Sequence, residues 1–251
     1  MTTPRVFIIR HGETAWSLNG RHTGTSDIPL TANGEKRILA TGRALVGPDR
    51  LIIPQNLAQV FVSPRQRAKR TLELLGITGN DGKAGDVSVE ETEDVGEWDY
   101  GDYEGVTSRE IRLRRGREEG LPEGQEAQWD IWRDGCPGGE SPGQITERVD
   151  RLIGRIRREF HAPAIGMAKG EVHKPYDVLI VAHGHVLRAL AGRWIGQDIA
   201  RNPSLILEAG GVGTLSYEHA RLEEPAILLG GAFMSDVVEN AEVDQKGRDG
   251  Q

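Results

Sequence analysis

Cysteine is almost missing from this chain: Cys136 stands alone among 251 residues. A single thiol excludes an internal disulfide and fits a reducing compartment. Cys136 precedes Pro137-Gly138-Gly139 with no histidine nearby, so it reads as structural rather than nucleophilic. No apolar run approaches the ~20 residues that a membrane-spanning helix needs. No signal-peptide core is found either, which sets the expectation of a cytoplasmic protein, a nuclear pool being allowed, with no membrane partner. Basic charge is also in short supply. The formal net charge of −7 argues against a nucleic-acid partner, which needs a broadly basic surface. It does not exclude a small anionic ligand held by a local group of arginines. Internal repeats, dividing linkers and zinc-type spacings are missing too. His183 and His185 are two apart with no further ligand near them, so neither a metal nor another cofactor is expected.

What the chain does have is 33 glycines and an alternation of short apolar runs with helical patterns. Val6 to Ile9 reads as a buried strand that ends in Arg10-His11-Gly12. Thr31 caps a helix to about Val46. A second strand, Ala58 to Val62, ends in Ser63-Pro64, read as an N-cap with proline at the first helical position. The helix from Pro64 to Leu75 stops at Gly76 and carries Arg65, Arg67, Lys69 and Arg70 in its first turns. Residues 77–86 read as a surface loop and Val87 to Thr92 as a short strand. Thr107 to Glu110 is a capping box opening a helix that runs into the arginine-rich stretch from Arg112 to Arg117. Trp129 and Trp132 suggest a short docking helix. Ser141-Pro142-Gly143-Gln144 starts a helix to about Phe160. A buried strand from Tyr176 to Ala182 ends in His183-Gly184-His185, before a helix from Val186 to Ile195 that bears Arg188. A strand to Tyr217 and an apolar piece at Ile227 to Leu229 follow. The expectation is one α/β domain over 1–234, a three-layer arrangement with a mostly parallel central sheet and helices on both faces. An acidic tail over 235–251 is expected to be disordered.

In such a fold, ligands bind beyond the carboxyl ends of the strands. Three strand ends therefore bring Arg10-His11, Ser63 to Arg67, and His183-Gly184-His185 to one crevice. Arg10, always cationic, is expected to keep the His11 imidazole neutral and nucleophilic. The small polar loop Thr23-Gly24-Thr25-Ser26-Asp27 suits anion contacts or turns. Between Asp94 and Gly105 lie five carboxylates among three aromatic residues. One of them, held against Trp98 or Tyr100 with a raised pKa, could serve as proton donor, and the residues do not choose among the five. The Arg112 to Arg117 run is either a solvated face or a second anion contact.

Four ordered blocks, Arg10-His11-Gly12-Glu13-Thr14, Ser63-Pro64-Arg65-Gln66-Arg67-Ala68, Gly139-Glu140-Ser141 and Ala182-His183-Gly184-His185, resemble the histidine phosphatase superfamily, which includes the phosphoglycerate mutases. Further blocks resemble the fungal sedoheptulose 1,7-bisphosphatases. These are Glu97 to Gly105, Thr107 to Ile111, Ile131 to Cys136 and Ala209 to Tyr217. The resemblance implies a phosphoglycerate mutase-like fold, His11 as the phosphorylated nucleophile and Glu97 as the proton donor. It implies that Arg10, Arg67 and His183 hold the transferred phosphoryl group. Ser17, His22, Thr23, Tyr100, Gly184 and Arg188 would contact the rest of the substrate. The implied reaction is metal-independent hydrolysis of the small sugar bisphosphate sedoheptulose 1,7-bisphosphate to sedoheptulose 7-phosphate, feeding ribose synthesis, with a phosphoglycerate mutase-type phosphotransferase or a phosphatase of another small phosphorylated metabolite as the alternative. A homo-oligomer is compatible with this reading. Three departures bear on substrate choice: Ser17 stands where asparagine is frequent in the superfamily, His22 where the fungal enzymes are expected to have tyrosine, and the stretch from Arg193 to Glu208 is short beside theirs.

Overall fold

The computed structural model describes residues 1–77, 87–201 and 204–229. Six strands form one sheet: β1 (Val6–Arg10), β2 (Leu57–Val62), β3 (Ser88–Glu91), β4 (Asp177–Ala182), β5 (Val212–Tyr217) and β6 (Pro225–Leu228). Their order across the sheet is β3-β2-β4-β1-β5-β6. The first four in that order are mutually parallel, and β5 and β6 add an antiparallel edge. The expected mostly parallel α/β sheet is therefore present. The piece expected at Ile227 to Leu229 is the edge strand β6.

β1 and β4 are buried on both faces, which is why they read as continuous apolar runs rather than alternating ones. Val6 and Ile8 point to one side, where α6 (Pro142–Ile156) and α7 (Gly184–Trp194) contribute Val149, Leu152, Ile153, Leu187 and Leu190. Phe7 and Ile9 point to the other, against Ile38 of α2 (Ala32–Leu45) and Ala68, Leu72 and Leu75 of α3 (Gln66–Leu75). The remaining α-helices among the described residues are α4 (Ser108–Glu118) and the two short ones α1 (Ala15–Asn19) and α5 (Ile131–Asp134). The capping boxes expected at Thr107 and Ser141 are both formed.

Three sequence expectations are corrected. α3 starts two residues late, at Gln66 with Arg65 as N-cap, because the Ser63 hydroxyl is engaged by a histidine instead of a helix end. α1 had no counterpart in the periodicity, since a five-residue helix is too short to show one. Beyond α6 the backbone takes one π-helical turn over Arg157–His161. Of the two readings open for the Arg112 to Arg117 run, the solvated face is the one present: Arg112 bonds Glu126 and Arg114 bonds Glu118. Most of the 77–86 loop and the 235–251 tail lie outside the described residues.

Strand register positions the chemistry. Arg10 stands opposite Ala182, and His11 N–H donates to the Ala182 carbonyl at 2.9 Å, so His11 and His183 leave the sheet side by side. On the other flank of β4, Ser63 N–H donates to Val181, which brings Ser63 beside His183.

Candidate active site

The carboxyl ends of β1 and β4 open into a cavity of about 280 Å³. Its wall includes Arg10, His11, Ser17, His22, Thr23, Glu97, Tyr100, Gly184 and Arg188, nine of the eleven side chains expected there. The other two, Arg67 and His183, are fully buried and lie behind the wall. His185 lines the cavity too, as the strand end His183-Gly184-His185 leads one to expect, and Thr14, Arg21 and Leu205 to Leu207 join the wall without having been anticipated. The 205–207 stretch has no chemical signature in sequence.

His11 is buried, and its Nδ1 lies 2.7 Å from the Gly12 carbonyl. A carbonyl only accepts, so Nδ1 carries the proton and Nε2 keeps its lone pair. The pKa of His11 is lowered to about 3, first by burial, then by the charge of Arg67 and last by that of Arg10. The imidazole is neutral as expected, but Arg10 is the smallest of the causes. The His11 and His183 ring centres are 5.1 Å apart.

Around His183 the tautomer is set by its partners. Arg67 Nε donates to Nδ1 at 3.2 Å, which leaves Nε2–H to donate to Ser63 Oγ at 2.7 Å. Burial, Arg67 and His11 hold the His183 pKa well below the ordinary range. Arg67 spends its other donors on the carbonyls of Thr23, Gly24 and Ser26, and so anchors the 23–26 loop. Arg10 Nη1 donates to Leu207 O at 2.9 Å, while its Nε is buried without a hydrogen-bond partner. A Cβ on Gly184 would stand 3.3 Å from the Arg10 Cζ, so glycine there lets the guanidinium lie over the start of α7.

Glu97 is not clamped by an apolar face. Its Oε1 accepts from the backbone N–H of Trp98 and Val186, both at 2.9 Å, and Oε2 accepts from His185 N at 3.0 Å. It thus serves as a remote cap for the N-terminus of α7, satisfying donors that His183, the N-cap, leaves open. Ser17 is bound into the capping box of α1, accepting from Thr14 N and donating to Thr14 O, each at 2.9 Å. Tyr100 Oη lies 2.7 Å from His185 Nδ1. Burial and Arg188 lower the His185 pKa to about 3, and burial pushes that of Tyr100 well up, so both are neutral polar groups on the wall. His22 stacks on Tyr100 with ring centres 4.6 Å apart, bonds Ser108 Oγ through Nε2 at 3.2 Å, and is lowered by burial to about 4. Arg188 lies over the Trp132 ring at 4.9 Å. Cys136 is buried, its thiol pushed up to about 12 by burial, in keeping with a structural role.

A buried neutral imidazole with an oriented lone pair, guanidinium groups beside it and a carboxylate on the same wall can carry a covalent phosphoryl transfer. The sequence model of the histidine phosphatase superfamily (branch 1) matches residues 6–226. The chain belongs to that superfamily. Among similar proteins, the sedoheptulose 1,7-bisphosphatase of Saccharomyces cerevisiae is 36% identical over 96% of this chain and 97% of its own. An acid phosphatase of Mycobacterium tuberculosis is 35% identical over 86% and 87%. A 2,3-bisphosphoglycerate-dependent phosphoglycerate mutase of Cytophaga hutchinsonii is 30% identical over 74% and 75%. The solved structure of a Mycobacterium tuberculosis open reading frame product superposes with a TM-score of 0.65 at 29% identity, over 91% of this chain and 97% of that one. In this superfamily context the sheet described above is the phosphoglycerate mutase-like fold. Among the described residues no helix is long and apolar enough to cross a membrane.

Proposed function

We propose that this histidine phosphatase, one domain over 1–234, hydrolyses a small sugar bisphosphate in the cytoplasm, sedoheptulose 1,7-bisphosphate being the substrate of choice. The observation that carries the reading is His11 itself: neutral, its Nδ1–H fixed on Gly12 O, with the Nε2 lone pair left for phosphorus. In the first step Nε2 attacks the phosphoryl group in line. The P–O bond to the sugar breaks, and Glu97 delivers a proton to the departing oxygen. Arg10 stabilises the charge gathering on the phosphoryl oxygens, and His183 joins it by passing its Nε2–H from Ser63 Oγ to a phosphoryl oxygen, with Arg67 held on its Nδ1. As Nε2 bonds to phosphorus the ring becomes cationic, and the Nδ1–H bond to Gly12 O strengthens. In the second step water attacks phosphorus, Glu97 takes its proton, and the N–P bond breaks to release inorganic phosphate.

Arg188 and Arg21 add cations to the wall away from the sheet, which suits a second anionic group on the substrate. Between the cations, His22, Thr23, Tyr100 and His185 offer neutral polar contacts for hydroxyl groups. The yeast relative supports the seven-carbon sugar. The test is phosphate release from sedoheptulose 1,7-bisphosphate, fructose 1,6-bisphosphate, 3-phosphoglycerate and a phosphopeptide, each with and without chelator. Preference for the seven-carbon bisphosphate, unchanged by chelator, is expected. A preference for the phosphopeptide, or isomerised phosphoglycerate in place of free phosphate, overturns the reading.

A further inference from the structure

Glu97 stands on a segment, residues 96–100, that belongs to no strand or helix. Backbone groups in such a segment need partners from elsewhere. Those around Glu97 converge on one side chain of α6, Arg148. Its Nη1 donates to Asp94 O at 3.1 Å and Gly96 O at 2.9 Å, and its Nη2 reaches Glu97 O at 3.3 Å. The same guanidinium forks onto the Glu140 carboxylate, Nε to Oε1 at 2.8 Å and Nη2 to Oε2 at 2.9 Å. Glu140 closes the ring from the other side. Its Oε2 accepts from Asp99 N at 2.9 Å, its carbonyl accepts from Trp98 Nε1 at 2.8 Å, and its own N–H donates to Asp99 O at 2.9 Å. The two side chains are only 11% and 20% exposed. The contact depends on glycine: a Cβ on Gly139 would lie 2.2 Å from Asp99 O, and one on Gly101 would lie 2.2 Å from Pro137 O.

We propose that the Arg148–Glu140 pair is a positioning device for Glu97, setting where its carboxyl group meets the leaving oxygen. The proposal rests on the reading of Glu97 as proton donor. An ion pair kept for stability alone could be replaced by apolar packing of the same volume. This one is directed instead at backbone groups of residues 94, 96, 97 and 99, on both sides of a single side chain. Neither partner lines the cavity, so the pair acts through Glu97 and not on the substrate. Only a planar fork serves several carbonyls and a carboxylate together, so lysine at 148 is not equivalent. Misplacing a reacting group by ~1 Å can cost about 10²-fold in rate.

The test compares Arg148→Met, Arg148→Lys and the charge-neutral double variant Arg148→Met/Glu140→Gln on two monoesters, phenyl phosphate and p-nitrophenyl phosphate. The double variant leaves no buried charge unpaired and guards against simple unfolding. All three are expected to lose on the order of 10- to 100-fold in kcat on phenyl phosphate, whose leaving group needs the proton, and less than about threefold on the activated ester. In a Glu97→Gln background the Arg148 substitutions should add nothing. Equal losses on both esters, or full additivity with Glu97→Gln, overturns the proposal. Where the wild-type protein turns over neither ester, the sugar-phosphate panel above judges the functional reading and the pair is read by amide hydrogen exchange. Faster exchange at Trp98, Asp99, His185 and Val186 in Arg148→Met supports the positioning role, and unchanged exchange there refutes it.

Discussion

Acid should unfold this protein, and the structure says over which range. His11, His161 and His183 are buried as neutral imidazoles. The pKa values of His11 and His161 are lowered to about 3, chiefly by burial, and that of His183 lies well below the ordinary range for the same reason. In the unfolded chain each titrates near 6.5. Above that pH neither state binds the protons and nothing is at stake. As pH falls below it, the unfolded chain takes up protons that the folded one refuses, so stability declines and keeps declining until about pH 3. At pH 5.5 each group costs about 1.4 kcal/mol relative to neutral pH, and these three together about 4 kcal/mol, to which His185 and His22, lowered to about 3 and about 4, add in the same direction. At pH 5.0 the sum is about 6 kcal/mol, a large part of the 5–15 kcal/mol by which domains are ordinarily stable. Asp177, raised by burial, is protonated earlier in the folded state and offsets part of the loss at the acid end. The assay is urea unfolding at pH 7.0, 6.0, 5.5 and 5.0. The diagnostic variant is His161→Gln, since His161 bonds Tyr217 Oη at 2.8 Å and does not line the cavity. It should reduce the loss between pH 7.0 and 5.5 by about 1.4 kcal/mol. Stability that is flat between pH 7.0 and 5.5, or a His161→Gln slope equal to wild type, would refute the reasoning.

Other outcomes follow from single features. Glu97→Gln should slow hydrolysis of an alkyl phosphate by about 10²-fold or more while sparing an activated aryl phosphate, measured by steady-state kinetics; equal slowing would assign the proton to another group. With its pKa lowered to about 3, His11 should not impose an acid limb on kcat/KM down to about pH 4, in assays short enough to precede unfolding; a limb near 6.5 that follows His11 would contradict its burial. Gly101, at φ +49° and backed against Pro137 O, should tolerate alanine poorly, with a loss on the order of 2–4 kcal/mol in chemical denaturation. Cys136 should resist alkylation at pH 8 in the native protein and react once unfolded.

What could be read in the sequence was whatever short-range pattern expresses. β1 and β4 are continuous apolar runs because both of their faces are buried, and the histidine beyond each was legible as soon as the strands were. Thr107 and Ser141 announced their helices through hydroxyl and carboxyl or amide spacing. Ser63 misled, because serine before proline looks the same whether its hydroxyl caps a helix or accepts from His183. Glu97 could be picked from five carboxylates only by resemblance, since its three backbone donors come from Trp98 and, 88 and 89 positions away, from His185 and Val186. Arg67 was placed at the crevice, but its full burial was not legible, because the carbonyls that receive it belong to a loop more than 40 residues earlier. Leu205 to Leu207 reach the cavity by chain path alone, which no local pattern encodes.

The pairing of β1 with β4 also sets a timetable. During synthesis the nucleophile emerges 172 positions ahead of its neighbour His183, and two of the three backbone donors that hold Glu97, those of His185 and Val186, come just after that histidine. No truncated or half-made chain can assemble the phosphoryl pocket. The nascent β1 must wait, apolar on both faces, until β4 has left the ribosome. Such a long-range central pairing makes folding slow and leaves β1 as the segment most in need of shelter while the rest is made.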